Sequence, residues 1–161
     1  MRTFSKIAVG SFLLALGACG GGSSGGAGIA KIKGTWQPTT YLATVDCGAN
    51  GSVSENVGSN VMWTMGTTSD LIQTDTSSNC VIHADVTGYT ASALTGQTCL
   101  IPNDGSGDSI NITLSSYTFS LSADYQTAQE SGSGSALVTF ASGSSATCVY
   151  QLQAAYHKIG T

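Results

Sequence analysis

Cysteine carries the most chemical information in this 161-residue chain. Cys19 stands alone near the start, and Cys47, Cys80, Cys99 and Cys148 are spread through the rest. No pair has C-x-x-C spacing, so neither a zinc ribbon nor a dithiol redox site is read from them. Four cysteines outside the cytoplasm predict two disulfides, with three connectivities open. The only histidines are His83 and His157, and strand alternation places both on outward faces. His83 and Asp85 share a face, but two ligands do not make a metal site. Asp104-Gly105-Ser106-Gly107-Asp108 has oxygen ligands at alternate positions, as a calcium loop does. Such a loop needs Gly at its sixth place and Glu at its twelfth; here these are Ser109 and Ser115, so the segment is read as a turn. There is no G-x-S-x-G elbow, phosphate loop or dinucleotide fingerprint. The expectation is a non-enzymatic protein with no catalytic residue, metal or cofactor.

Cys19 has a different context. Arg2 and Lys6 precede it without an acid, and Ile7 to Ala18 is apolar or small throughout. That run is too short for the ~20 residues of a spanning helix. A basic start, a short apolar core and small residues at the exit make a secretory signal. The exit, Leu16-Gly17-Ala18-Cys19, resembles the lipobox of bacterial lipoproteins. The resemblance implies that residues 1–18 are a signal peptide and that Cys19 becomes the first mature residue and carries acyl chains. Each buried methylene contributes ~0.8 kcal/mol and a single chain holds only reversibly, so several chains on one Cys make a lasting membrane anchor. Gly20 follows where an Asp would resemble an inner-membrane retention signal, which points to the outer membrane, with the domain periplasmic or surface-facing. Residues 19–28, nearly all Gly and Ser after Cys19, are expected to form a flexible linker with a mean reach of roughly 15–18 Å.

Residues 29–161 have the size of one domain. Removing Arg2 and Lys6 leaves three basic residues against nine acids, a net charge of −6. With no basic patch, nucleic acid is excluded as a natural partner. Charged residues make up only 9% of the chain against the ~25% usual in soluble domains. Ser, Thr, Asn, Gln and Gly must therefore provide the wet surface, which suits strands better than helices.

Period-2 alternation recurs along the domain. It predicts strands from Trp36 to Cys47, over Val61–Met65, more weakly over Leu71–Thr76, and most clearly at Cys80, Ile82, Ala84 and Val86. Further strands follow at Tyr89–Leu94, Cys99–Ile101, Ile110–Leu114, Tyr117–Leu121, Leu137–Phe140 and Cys148–Tyr156, with Ser115-Ser116 either a tight turn or a bulge. Gly48 to Ser59 is expected to be a loop. About eight short strands between Gly, Ser and Asn turns predict an all-β fold: an antiparallel up-and-down barrel, with a β-sandwich as the alternative. If the first and last strands pair with Cys47 beside Cys148, opposed residue numbers total about 195 and Trp36 meets Lys158 and Ile159. This register predicts a Cys47–Cys148 bridge closing a barrel, and Cys80–Cys99 stapling the hairpin that turns at Gly88.

Gly34-Thr35-Trp36 resembles the G-x-W that opens the lipocalins, and Ala123-Asp124-Tyr125 is similar to their T-D-Y loop. Ala123 stands where that loop has Thr. The resemblance implies a lipocalin-like barrel whose floor is closed by Trp36 under a basic residue of the last strand, here Lys158 where Arg is usual. It implies a cup holding a small apolar ligand; eight-stranded barrels either do this or fill with side chains. The expected partners are the membrane, through Cys19, and a small apolar molecule or an envelope protein. The alternative is a structural or surface-interaction lipoprotein whose aromatics fill the core.

Overall fold

The computed structural model describes residues 26–75, 80–101 and 107–161. The signal segment, Cys19, the turn at 76–79 and most of the Asp104–Asp108 segment lie outside the described residues. The chain runs α1 (Gly26–Ile32), β1 (Gly34–Asp46), β2 (Ser52–Glu55), β3 (Val61–Met65), β4 (Leu71–Asp75) and β5 (Val81–Thr87), then β6 (Thr90–Ala93), β7 (Thr98–Ile101), β8 (Ser109–Leu121), β9 (Thr127–Thr139) and β10 (Ser145–Gly160). Every pairing is antiparallel. The sheet runs β10-β9-β8-β6-β5-β4-β3-β1 and closes where β1 meets β10. The fold is therefore a closed eight-stranded antiparallel barrel, not a sandwich. β2 and β7 are extra segments: β2 pairs with β1 beyond β3, and β7 pairs with β8 beyond β6.

The closing seam follows the expected register. Asp46 faces Val149, Tyr41 faces Ala154 and Trp36 faces Lys158. Just beyond the Asp46–Val149 pair, Cys47 is bridged to Cys148; a second bridge joins Cys80 to Cys99. The second bridge does more than staple a hairpin. After β6 the strand breaks, and β7 resumes along β8 without pairing with β5. Gln97 fills the gap with its side-chain amide. His83 N donates to its Oε1 (2.6 Å), and its Nε2 donates to the carbonyls of His83 (2.7 Å) and Leu94 (3.0 Å). One side chain thus stands in for a missing peptide beside the Leu94 N–H bond to the His83 carbonyl (2.9 Å), giving the His83 N–H an acceptor.

Ser115-Ser116 proves to be a bulge. β8 runs through it unbroken, with a register shift between Leu114 and Ser116. The inward set changes there from Ile112 and Leu114 to Tyr117 and Phe119, as an inserted residue requires. Across the ladder, a Cβ on Gly134 would lie 2.1 Å from the Thr113 carbonyl oxygen. Only glycine permits that approach.

The linker boundary needs correction. Gly26–Gly28 belong to α1, so the folded domain begins before Ile29. This short helix is held by tertiary contacts, since seven residues do not sustain a helix in water. Ile32 is fully buried at one end of the barrel. Its carbonyl accepts from Trp36 Nε1 (2.8 Å), and the Lys31 carbonyl accepts from Lys158 Nζ (2.6 Å). Gly28 is required because the Gly88 carbonyl oxygen occupies the place of a Cβ.

That end is the floor. Trp36 packs edge-on against Phe119, with centroids 5.3 Å apart, and Lys158 Nζ lies 5.3 Å from the Trp36 ring centre. Trp63 and Tyr156 complete a buried aromatic layer on Phe119. Ala123-Asp124-Tyr125 also lies at this end, between β8 and β9. Asp124 accepts from the backbone N–H groups of Gln126 and Thr127. Those bonds lower its pKa. Tyr125 stacks against Tyr89 and lies under Lys31.

Candidate ligand cavity

Above the aromatic layer the barrel is hollow. A cavity of about 240 Å³ reaches from Glu130 up to Glu55 and Val57 at the rim, on the side away from α1. This is just below the ~300–1,000 Å³ usual for small-molecule sites. Alternation aims the lining residues inward: Ile82 from β5, Ile112 and Leu114 from β8, and Tyr150 and Leu152 from β10. The break between β2 and β3 shapes the mouth. There Gly58 lies against the Tyr41 ring, and Ser59 hydrogen-bonds Asp75 across it.

Glu130 is the base of the cavity. It lies on β9 in phase with the buried Ala128, opposite Phe119 and Ala154, and is only 4% exposed. The small Ala154 leaves it room. Tyr156 donates to Oε2 (2.7 Å), and Gln73 Nε2 donates to Oε1 (3.1 Å). The Tyr117 hydroxyl makes a short contact with the same Oε1 and also lies 2.9 Å from Gln73 Oε1. Tyr117 has one proton and two acceptors. Both contacts are satisfied when Glu130 is protonated: the acid donates to the Tyr117 hydroxyl, which donates in turn to Gln73 Oε1.

Burial also favours the neutral acid. Burial raises the Glu130 pKa, the Asp75 charge adds to the rise, and the three hydrogen bonds offset part of it. Burial likewise pushes the phenols of Tyr41, Tyr117, Tyr150 and Tyr156 up, with the Glu130 charge contributing to each. Among the described residues no Lys, Arg or His lines the cavity. Lys31, Lys33 and Lys158 belong to the floor end, in or beside α1 and near the end of β10.

A consequence follows for stability. A buried acid whose folded pKa lies above its unfolded value stabilises below the unfolded pKa. That contribution is lost as the pH rises through the folded pKa. Glu130→Gln keeps a donor and an acceptor in place without a titrating proton. The variant is expected to match the wild type near pH 4 and exceed it at pH 8, by on the order of 1–3 kcal/mol, the desolvation cost of a buried polar group. Urea denaturation at both pH values checks this; an equal difference at the two would exclude titration of Glu130.

Of the other sequence candidates, Cys80 and Cys99 line the cavity wall, whereas the histidines, Asp85 and Asp108 fall outside it. His83 is half-buried beside Ser69, with Nδ1 3.4 Å from its hydroxyl. Asp85 contacts the backbone N–H of Asp70 at 3.4 Å. His157 follows the inward Tyr156 and is only partly buried. Asp108 accepts from the Ala141 N–H (2.8 Å), tying the β8 entry to the turn before β10. Among the described residues no three His, Cys, Asp or Glu side chains converge as metal ligands. Glu130 itself was missed from sequence. Its signal is phase: Ala128, Glu130, Ala136 and Val138 share the inward face of β9. No protein-family model matches the chain, and neither does any curated protein or solved structure.

Proposed function

We propose that this protein is a lipid-anchored lipoprotein of the bacterial outer membrane, and that its lipocalin-like barrel binds a small, largely apolar ligand without catalysing a reaction. The carrying observation is the split interior: aromatics fill the floor half, while the rim half encloses a cavity walled by Ile82, Ile112, Leu114 and Leu152. Leu16-Gly17-Ala18-Cys19 supports the anchor, and two disulfides suit an oxidising compartment. Native mass spectrometry of the full chain, made in a bacterial envelope and released from detergent, tests both parts. The expected result is an acylated Cys19 and a defined extra mass that leaves on denaturation. A chain without acyl mass would remove the anchor, and one without bound mass would remove the ligand. A second reading, docking of an envelope protein, draws on Leu100, Leu137 and Val149. These are exposed on β7, β9 and β10 toward the rim end.

A further inference from the structure

The cavity's own walls narrow the chemistry of its occupant, on the binding reading just given. Its deepest polar group is the Glu130 carboxyl, and Asp75 and Glu55 line the same space toward the rim. Four tyrosines, Tyr41, Tyr117, Tyr150 and Tyr156, contribute to its walls, and no basic residue among the described ones does. An anion entering here meets only like charge and no cationic partner. A cation meets carboxylates and aromatic faces, the two features that offset the loss of its water. Glu130 also has capacity to spare. Two donors reach Oε1 and one reaches Oε2, whereas an ionised carboxylate accepts about four bonds.

We propose that the cavity takes a small organic cation, a primary ammonium on a compact apolar body, with its charged head at Glu130 and its body against Ile82, Ile112, Leu114 and Leu152. Binding then moves one proton. The neutral Glu130 acid gives its proton to solvent, and the carboxylate left behind pairs with the ammonium, which keeps its own three protons. The Tyr117 hydroxyl turns from Gln73 to the carboxylate, so the phenol network follows the change without moving. The titratable groups around Glu130 are Tyr117 on β8, Tyr150 and Tyr156 on β10, Asp75 on β4, Tyr41 on β1 and Glu55 on β2. The phenols stay protonated across the working range, because their pKa values are raised.

Calorimetric titration of the full chain with 2-phenylethylammonium and with its neutral counterpart 2-phenylethanol tests this. At pH 8 the cation is expected to bind at least ~tenfold more tightly than the alcohol, as a charge-assisted contact requires. Repeating the titration in buffers of different ionisation enthalpy is expected to show release of up to one proton per cation and none with the alcohol. Cation affinity should fall as the pH is lowered toward 5. Glu130→Gln should lose at least ~tenfold in cation affinity, lose the proton release, and bind the alcohol as before. If the alcohol binds as tightly as the cation in the wild type, the ligand class is wrong and the binding cavity stands. If neither probe binds, both readings fall. The wild-type comparison and its proton count need no variant, so they decide the matter even if the Gln chain fails to fold.

Discussion

Trp36→Ala will cost about 3–5 kcal/mol of folding stability, the range for truncating a fully buried aromatic. Small domains have a stability of only ~5–15 kcal/mol, so the loss threatens the fold at 37 °C. Three contacts disappear together. Phe119 loses the ring packed edge-on at 5.3 Å, Lys158 loses the face it lies over, and the Ile32 carbonyl loses its 2.8 Å donor. Ile32 and Trp36 are both fully buried, so the space left by the indole lies directly under α1. Hydrogen exchange should therefore show α1 opening well before the barrel. Trp36→Phe separates the effects: it keeps a ring on Phe119 but removes the Nε1 bond, and should cost on the order of 1 kcal/mol more than ring shrinkage alone. Urea midpoints measure both variants. A cost below ~1 kcal/mol for Ala would mean that α1 and Phe119 collapse into the vacancy.

Loss of the Cys47–Cys148 bridge is the second large effect. The bridged residues are 101 apart in sequence, and in the chain-entropy model a loop of ~100 residues stabilises by ~4.7 kcal/mol. The 19-residue separation of Cys80 and Cys99 corresponds to ~3 kcal/mol. Replacing both Cys47 and Cys148 by Ser should therefore destabilise more than the same change at Cys80 and Cys99. The difference also has a kinetic side. Pairing β1 with β10 brings together the two ends of the domain, and such distant contacts are slow to form. With the bridge absent, the refolding rate should fall while the native signal, once reached, keeps its shape. Denaturant titration and stopped-flow refolding of the two double-Ser variants decide this. Equal destabilisation would mean that the unfolded chain is already compact enough to hide the longer loop.

The parts of the fold that were legible in sequence are those where one face is buried. Ile82, Ala84 and Val86 alternate with exposed residues along β5, and their phase was plain. The β1–β10 register followed from a single cysteine pair because the two strands match over nearly their whole length. β2 was invisible for the opposite reason. All four of its residues are exposed, so nothing in Ser52–Glu55 alternates between core and water. Gly26–Gly28 of α1 read as linker because they are glycine-rich, and contacts that hold the helix come from Gly88 and Lys158, far along the chain. Nothing in the sequence marks Gln97, since a side chain that stands in for a peptide leaves no pattern. Glu130 was hidden by its neighbours: Gly132 and Gly134 interrupt the apolar phase that would have marked it as an inward acid.

If Cys19 carries the proposed anchor, the position of α1 bears on which way the cup faces. Cys19 lies seven residues before Gly26, a stretch that spans at most ~25 Å. An acyl anchor on Cys19 therefore keeps the closed pole near the bilayer. β1 has 13 residues; at ~3.3 Å per residue and the usual barrel tilt, the opposite pole stands roughly 30 Å farther out. The mouth then faces water, with the barrel's full height between it and the lipid. On the proposed anchoring and binding, a ligand would therefore reach the mouth from the aqueous compartment rather than from the anchoring leaflet. A protein that delivered such a ligand would meet the barrel on the side away from that membrane.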